Sequence, residues 1–457
     1  MKVKYLNILI MLAMLLMSLG SMGAASGKQI GINVLLNTAV TDEILVDLGQ
    51  YGKINDILYQ IDAITMKAAS SQLEVIRALP YVSDAAPDAV RKNGPVDTVF
   101  VDNFADGMST WNLDAINVTD YGTTTRQVGY DGAGVYVAVL DTGLVKNWQQ
   151  YLPEERIATE YAISFGGGGG EKGEISTQPN KWGLDVNSHG THVTSTIIGY
   201  SMRGESVNGV APMVKIIPVK VLNQNGSGWS SMVAAGIVYI ADLKLGALKD
   251  YPVVINMSLG GPVQEPVEKI AIDYAIEAGV IIVASAGNEG EEGMGYPGAY
   301  APVISVAASG WVGEWYPLGD RAWWNNKNVI DPTDPEDFYI TDWSSRELSG
   351  QELDVAAPGS WVVGPYQLQM GKTSYYFLGG TSMASPHVAG IAALLLQKDP
   401  TLMQEDVEDI LKSSALYLAP DCRTVNTPYG YAEEFCWGAD ATGAGLALAD
   451  AALAAVP

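Results

Sequence analysis

Gly379-Gly380-Thr381-Ser382-Met383-Ala384-Ser385-Pro386-His387-Val388-Ala389-Gly390 is the stretch around which the chain is organised. Two glycines and a threonine precede Ser382, and an apolar run, 391–396, follows Gly390. This pattern predicts a tight turn that delivers a serine to the first turn of a buried helix. There the hydroxyl lies near unpaired backbone N–H groups and the positive end of the helix dipole, which favour an anion forming beside it. Alone, Gly-Thr-Ser before a helix reads as an N-cap. Two further stretches decide against that reading.

Working outward from the serine, near-continuous apolar runs recur at 135–140, 214–221, 253–257, 280–284 and 303–307. Such runs suit strands buried on both faces. Helical stretches at 192–199, 231–245 and 267–278 separate most of them. The expected fold class is α/β: a three-layer, doubly wound, mostly parallel sheet with helices on both faces. In such folds the working residues gather beyond the carboxyl ends of the strands.

The polar residues fall there. Asp141 directly follows the first of these strands, in Leu140-Asp141-Thr142-Gly143. Asp-Thr-Gly is also the signature of paired-carboxylate proteases, but that chemistry needs two carboxylates sharing a proton. No second Asp-Thr-Gly or Asp-Ser-Gly occurs in the chain. His189 and His192 lie in Asn187-Ser188-His189-Gly190-Thr191-His192-Val193. Their spacing does not fit a helical zinc pair, which needs i, i+4 with a glutamate between. It fits a histidine at a helix start, free to take the Ser382 proton while a buried carboxylate fixes its tautomer. His192 and His387 are then structural. Asn288, in Ser285-Ala286-Gly287-Asn288-Glu289-Gly290, brings a side-chain amide to a strand end, where it could serve as an oxyanion donor.

These three stretches resemble the subtilisin-like serine proteases, the subtilases. The aspartate motif is Val139-Leu140-Asp141-Thr142-Gly143, the histidine motif His189-Gly190-Thr191-His192-Val193, and the serine motif runs from Gly380 to Gly390. The chain order Asp, His, Ser also agrees. The resemblance covers about Trp111 to the C-terminus. It implies Asp141 as orienting carboxylate, His189 as base, Ser382 as nucleophile, and Asn288 as oxyanion donor beside the Ser382 N–H. It implies that Ser258-Leu259-Gly260 binds the substrate backbone as an added strand. Glu289 and Gly295 match pocket-lining positions, with room for large apolar side chains before the cleaved bond. The expected activity is a broad serine endopeptidase working through an acyl-enzyme. The alternatives are a restricted processing protease and a catalytically silent binding protein of the same fold.

The N-terminus carries Lys2 and Lys4, an apolar run 6–19, and small residues ending Gly23-Ala24-Ala25. That is a secretory signal, 1–25, and places the product outside the cell. The run is short for a membrane span, so no stable membrane association is expected after cleavage. Residues 28–92 alternate short strands (31–36, 56–61, 63–68) with helical patterns (41–51, 71–79), a small α+β unit. The resemblance makes it a ferredoxin-like propeptide that inhibits and assists folding, so the protein is expected as a zymogen. A linker, 93–110, holds the maturation site, and 111–457 is the catalytic domain.

The net charge of −25 over 457 residues argues against a nucleic-acid partner. The partners expected are polypeptide substrates and the chain's own propeptide, with a monomeric enzyme. Cys422 and Cys436, the two cysteines of the chain, are expected to pair in an exported protein. Their loop is worth roughly 3 kcal/mol in the chain-entropy model. A glycine run, 166–170, lacks the lysine and helix start of a phosphate cradle. The segment 311–342 reads as an insertion. Its tryptophans, Trp311, Trp315, Trp323 and Trp324, are expected to form a small surface mini-core rather than a substrate lip. Its Asp331, Asp334 and Asp337 are a candidate calcium set. No cofactor is needed for catalysis. The resemblance implies structural calcium but assigns no ligands, because 199–208 lacks the family's asparagine-rich calcium loop.

Overall fold

The computed structural model describes residues 28–92, 97–100, 109–120, 126–165, 177, 179–369 and 371–457. The signal segment, most of the linker and the glycine run 166–170 lie outside the described residues. The chain divides into two compact units, the first ending at Asp88 and the second beginning at Ala89.

In the first unit the order is strand Gln29–Leu36, helix Asp42–Leu48, strands Gly52–Leu58 and Ala63–Ala69, helix Leu73–Arg77 and strand Val82–Pro87. Gln29–Leu36 and Ala63–Ala69 form the centre of a four-stranded antiparallel sheet. Ile32, Val34, Ile64 and Met66 alternate along these strands and pack against Ile44, Leu48 and Ile76. Thr41 caps its helix, its hydroxyl accepting from the Ile44 N–H at 3.4 Å. The second strand starts earlier than its sequence pattern suggests. It runs from Gly52 and gives way to a single turn at Tyr59–Ile61, because Asp62 takes a left-handed conformation, φ 49°, that reverses the chain into Ala63.

The second unit is built on an eight-stranded sheet. Its strands run, in spatial order, Phe338–Ile340, Ile304–Trp311, Val280–Ser285, Val253–Met257, Tyr136–Asp141, Lys215–Lys220 and Ile163–Ser164, with Val355–Pro358 also paired to Ile304–Trp311. Every pairing is parallel except that of the edge strand Phe338–Ile340. Successive residues of a strand point to opposite faces. Val137, Val139, Val254 and Val283 accordingly share a core with Val388, Ile391 and Leu395 of helix Thr381–Lys398. On the other face, Leu140 and Val219 lie against Gly236 of helix Ser230–Leu245. This is the three-layer arrangement expected. It brings the ends of Tyr136–Asp141, Lys215–Lys220, Val253–Met257 and Val280–Ser285 to one rim, since parallel strands in register finish together.

The segment 311–342 departs from expectation. Trp315, Trp323 and Trp324 are at most 1% exposed and belong to the main core, not to a surface cluster. Phe377 stands 4.7 Å from Trp315 and 6.1 Å from Trp323, and Trp111 lies 5.9 Å from Trp323. Rings this large supply more apolar area than a small excursion could hide, so they fill a gap between distant parts of the chain. Asp331 and Asp334 spend their carboxylates on local turns, accepting from the N–H groups of Thr333 and Glu336. Within 199–208, which lacks an asparagine-rich loop, the chain forms a short hairpin, Tyr200–Met202 with Glu205–Val207. Near the C-terminus Cys422 faces Cys436 across the hairpin Asp421–Asn426/Ala432–Trp437, and the two form a disulfide. Among the described residues no helix is long and apolar enough to cross a membrane.

Candidate active site

Asp141 is the last residue of its strand, and the chain turns at once so that Thr142 N–H donates to Asp141 Oδ1 at 2.6 Å. The helix His189–Ile198 begins above it. His189 Nδ1 lies 2.8 Å from Asp141 Oδ2 and 3.0 Å from Oδ1, with both side chains fully buried. A carboxylate in that position favours the tautomer with the proton on Nδ1 and leaves Nε2 as the basic nitrogen.

Two residues that the motif reading passed over hold this pair. Asp185 accepts from the N–H groups of Asn187 (2.9 Å) and Ser188 (2.7 Å) and from the Thr142 hydroxyl (2.7 Å). Lys220 Nζ sits 3.6 Å from Asp185 and donates to the Thr142 carbonyl. Burial raises the Asp185 pKa and lowers that of Lys220, while the attraction between them opposes both shifts. The loop before His189, including Ser188 at φ 78°, is thereby fixed to the same turn that carries Asp141. Both residues left traces in the sequence. Asp-Val-Asn-Ser before a helix is a side-chain turn signal, and Lys220 is a charge near the end of a largely apolar run.

Ser382 opens the helix Thr381–Lys398. Its hydroxyl donates to the Ser258 carbonyl at 3.3 Å, and the Ser258 hydroxyl donates to the Ser382 carbonyl at 2.9 Å. Asn256 Nδ2 donates to the Ser258 hydroxyl (3.0 Å), and the Ser385 hydroxyl donates to Asn256 Oδ1 (2.6 Å). Asn288 Oδ1 accepts from both the N–H (2.9 Å) and the hydroxyl (3.0 Å) of Thr381. That fixes the amide plane and leaves its NH2 end as the available donor.

A cavity of about 650 Å³ is lined by Leu259, Gly260, Asn288, Glu289, Gly295 and Ser382, among others. Ser258 is fully buried behind this wall, with its hydroxyl on the serine helix. The Glu289 carboxylate is turned back onto its own loop, accepting from Asn288 N–H (2.7 Å) and the Ser345 hydroxyl (3.2 Å). The other two histidines are held neutral. His192 donates from Nε2 to the Val362 carbonyl (3.1 Å), and His387 donates from Nδ1 to the Met383 carbonyl (2.8 Å) while Nε2 accepts from Asn112 (2.7 Å). Burial pushes His192 down to about 3, with His189 adding to the effect, and His387 down to about 4.

Two groups of potential metal ligands occur among the described residues. One, Cys422, Glu434 and Cys436, has its sulfurs in the disulfide. Into the other, Glu352, Asp354 and Glu408, reaches Lys412 Nζ, at 2.7, 3.1 and 3.2 Å. An ammonium already satisfies those carboxylates, so the set does not fit a calcium ion.

Residues 132–438 match the model of the subtilase family. Subtilisin DY from Bacillus licheniformis is 36% identical over 294 residues, which cover 64% of this chain and 86% of that protein. Subtilisin E from Bacillus subtilis (strain 168) is 35% identical over 302 residues, and there the match spans 62% of the relative. Among solved structures, fervidolysin from Fervidobacterium pennivorans, a keratinolytic enzyme related to subtilisin, superposes with a TM-score of 0.63 at 25% identity. That match covers 96% of this chain and 63% of the other.

Proposed function

Since the chain belongs to the subtilase family of serine endopeptidases, we propose that it is a secreted enzyme made as a zymogen and cleaves polypeptides through an Asp141–His189–Ser382 relay. The observation that carries this reading is the buried 2.8 Å contact of Asp141 with His189 at the same strand-end rim as Ser382. The Ser382 hydroxyl attacks the peptide carbonyl while His189 Nε2 takes its proton. The tetrahedral oxyanion is held by the Asn288 amide and the Ser382 N–H at the helix start. Collapse of the intermediate expels the amine, which receives the proton from His189. Water, deprotonated by the same nitrogen, then releases the acyl group. Asp141 keeps the imidazole oriented and stabilises its charged form.

Leu259 and Gly260 receive the substrate backbone as an added strand, and the pocket with Glu289 and Gly295 takes a large apolar side chain before the cleaved bond. Residues 28–92 act as the inhibitory segment until maturation. The signal-like 1–25 and the Cys422–Cys436 disulfide both suit an exported protein.

The deciding experiment is Ser382→Ala. The variant is expected to lose casein hydrolysis and its own processing, and a serine-directed phosphonate should label the matured wild type at Ser382. Processing and hydrolysis by the purified variant at the wild-type rate would refute the assignment. In subtilisin, from which the figure comes, loss of the serine costs on the order of 10⁶ in turnover.

A further inference from the structure

The strand Val90–Lys92 lies in the substrate cleft of the second unit. It pairs antiparallel with Ser227–Trp229 on one side. On the other side Lys92 and Gly260 exchange both backbone hydrogen bonds, each 3.0 Å. Its side chains alternate exposed, buried, exposed, so only Arg91 points into the protein. Gly261 makes this approach possible, for a Cβ there would meet the Val90 carbonyl oxygen at 2.4 Å.

The Arg91 side chain is wholly buried, and it does not meet an apolar wall. Its Nε lies 3.0 and 3.1 Å from the two carboxylate oxygens of Glu268, its NH2 group also bonds Glu268, and the same nitrogen donates to the Val263 carbonyl at 3.2 Å. Glu268 is 2% exposed and stands in the first turn of helix Pro266–Glu277, where the helix dipole favours an anion. Its N–H is capped by Glu265 at 2.9 Å.

We infer that this is a specificity subsite for an arginine of the polypeptide substrate, with Glu268 as its selecting residue. The position follows from the register. A strand that continues the Lys92–Gly260 pairing sets the residue two places downstream opposite Ser258, whose carbonyl lies 3.3 Å from Ser382 Oγ. The arginine therefore sits three residues before the one whose carbonyl is attacked. Once Val90–Lys92 leaves, Glu268 keeps its place in the helix. An incoming guanidinium restores a forked, charge-assisted pair, whereas an apolar side chain strands a carboxylate away from water. A pocket built to pair a charge rejects an isostere lacking it far more strongly than an apolar pocket rejects a methylene. The inference rests on the protease reading above and names the substrate class for the same cleft.

Two p-nitroanilide peptides, Arg-Ala-Ala-Phe and Leu-Ala-Ala-Phe, separate the two claims. With the full chain after self-processing, kcat/KM for the arginine peptide is expected to exceed that for the leucine peptide at least tenfold. In Glu268→Gln the ratio should fall to about one. Equal rates in the wild type, or a ratio that survives in Glu268→Gln, would overturn the subsite while leaving the protease reading intact. If neither peptide is cut, the protease reading fails, and the subsite is then decided without turnover. In the full-length Ser382→Ala chain, Arg91→Leu should speed amide exchange at Lys92 at least tenfold, and unchanged exchange would overturn the inference.

Discussion

The Ser258 hydroxyl lies 2.9 Å from the Ser382 carbonyl oxygen, an acceptor that the serine helix itself cannot satisfy. The N–H that would reach it in a regular helix belongs to residue 386, which is proline. Pro386 thus frees the carbonyl of the nucleophile's own residue, and Ser258, from the end of a central strand, takes the missing donor's place. The first turn of the helix is in this way bolted to the sheet.

Ser258→Ala should therefore cost stability and activity together. It leaves the Ser382 carbonyl and the Asn256 amide without their buried partner, a loss of about 1–3 kcal/mol. Denaturation of the Ser382→Ala chain with and without the second change measures the stability part. Pro386→Ala restores a helical N–H and should recover part of the loss in a double-mutant cycle. Strict additivity would show that the two residues do not share this acceptor.

Gly190 sets how closely the histidine helix approaches Asp141. A Cβ there would meet the Gly143 carbonyl oxygen at 2.5 Å and Asp141 Oδ1 at 3.2 Å. The first contact is with backbone and cannot be relieved by a rotamer, so the helix start must move. Displacement of a reacting group by about 1 Å is worth roughly 10²-fold in rate. Gly190→Ala is expected to lower kcat by about that factor with little change in KM. An effect on KM alone would mean the helix had shifted without disturbing the Asp141–His189 bond.

The strands and the three motifs were legible because buried parallel strands are written as apolar runs, and the polar residues that interrupt such runs stand out. What could not be read is whatever depends on register between distant strands. Lys220 looks like the outward end of a strand until its pairing with Asp141 in the neighbouring strand brings it beside Asp185. Glu268 looks like an ordinary acidic residue of a first helical turn. Only the strand Val90–Lys92 shows that it is buried against a cation. The burial of the tryptophans of 311–342 is hidden for the same reason, since their partners Trp111 and Phe377 are remote in sequence and no periodicity links them.

The Cys422–Cys436 disulfide joins directly opposed residues of an exposed hairpin. Its effect should be confined to the unfolded chain, which it shortens. Replacing both cysteines with serine should lower stability by up to roughly 3 kcal/mol and leave peptide hydrolysis within about twofold of wild type. Reductant should reproduce the shift, since both residues are open to solvent. A loss of activity larger than the loss of folded protein would show that the hairpin acts on the site.

His192 and His387 give the folded state a pH dependence independent of catalysis. Both are fully buried, and burial holds them at about 3 and about 4, against about 6.5 in an unfolded chain. Between those values the unfolded chain binds protons that the folded one does not, so stability must fall as pH falls. The contribution is fully present above about pH 6.5 and is lost progressively as pH drops toward 4. Unfolding midpoints of the Ser382→Ala chain, in which self-digestion is removed, should therefore decline from pH 7 to pH 4.5. His387→Gln, which keeps an acceptor for Asn112 and a donor for Met383 without a titrating proton, should flatten part of that slope. An identical slope in the variant would mean that His387 is protonated in the folded state and that its contact with Asn112 runs the other way.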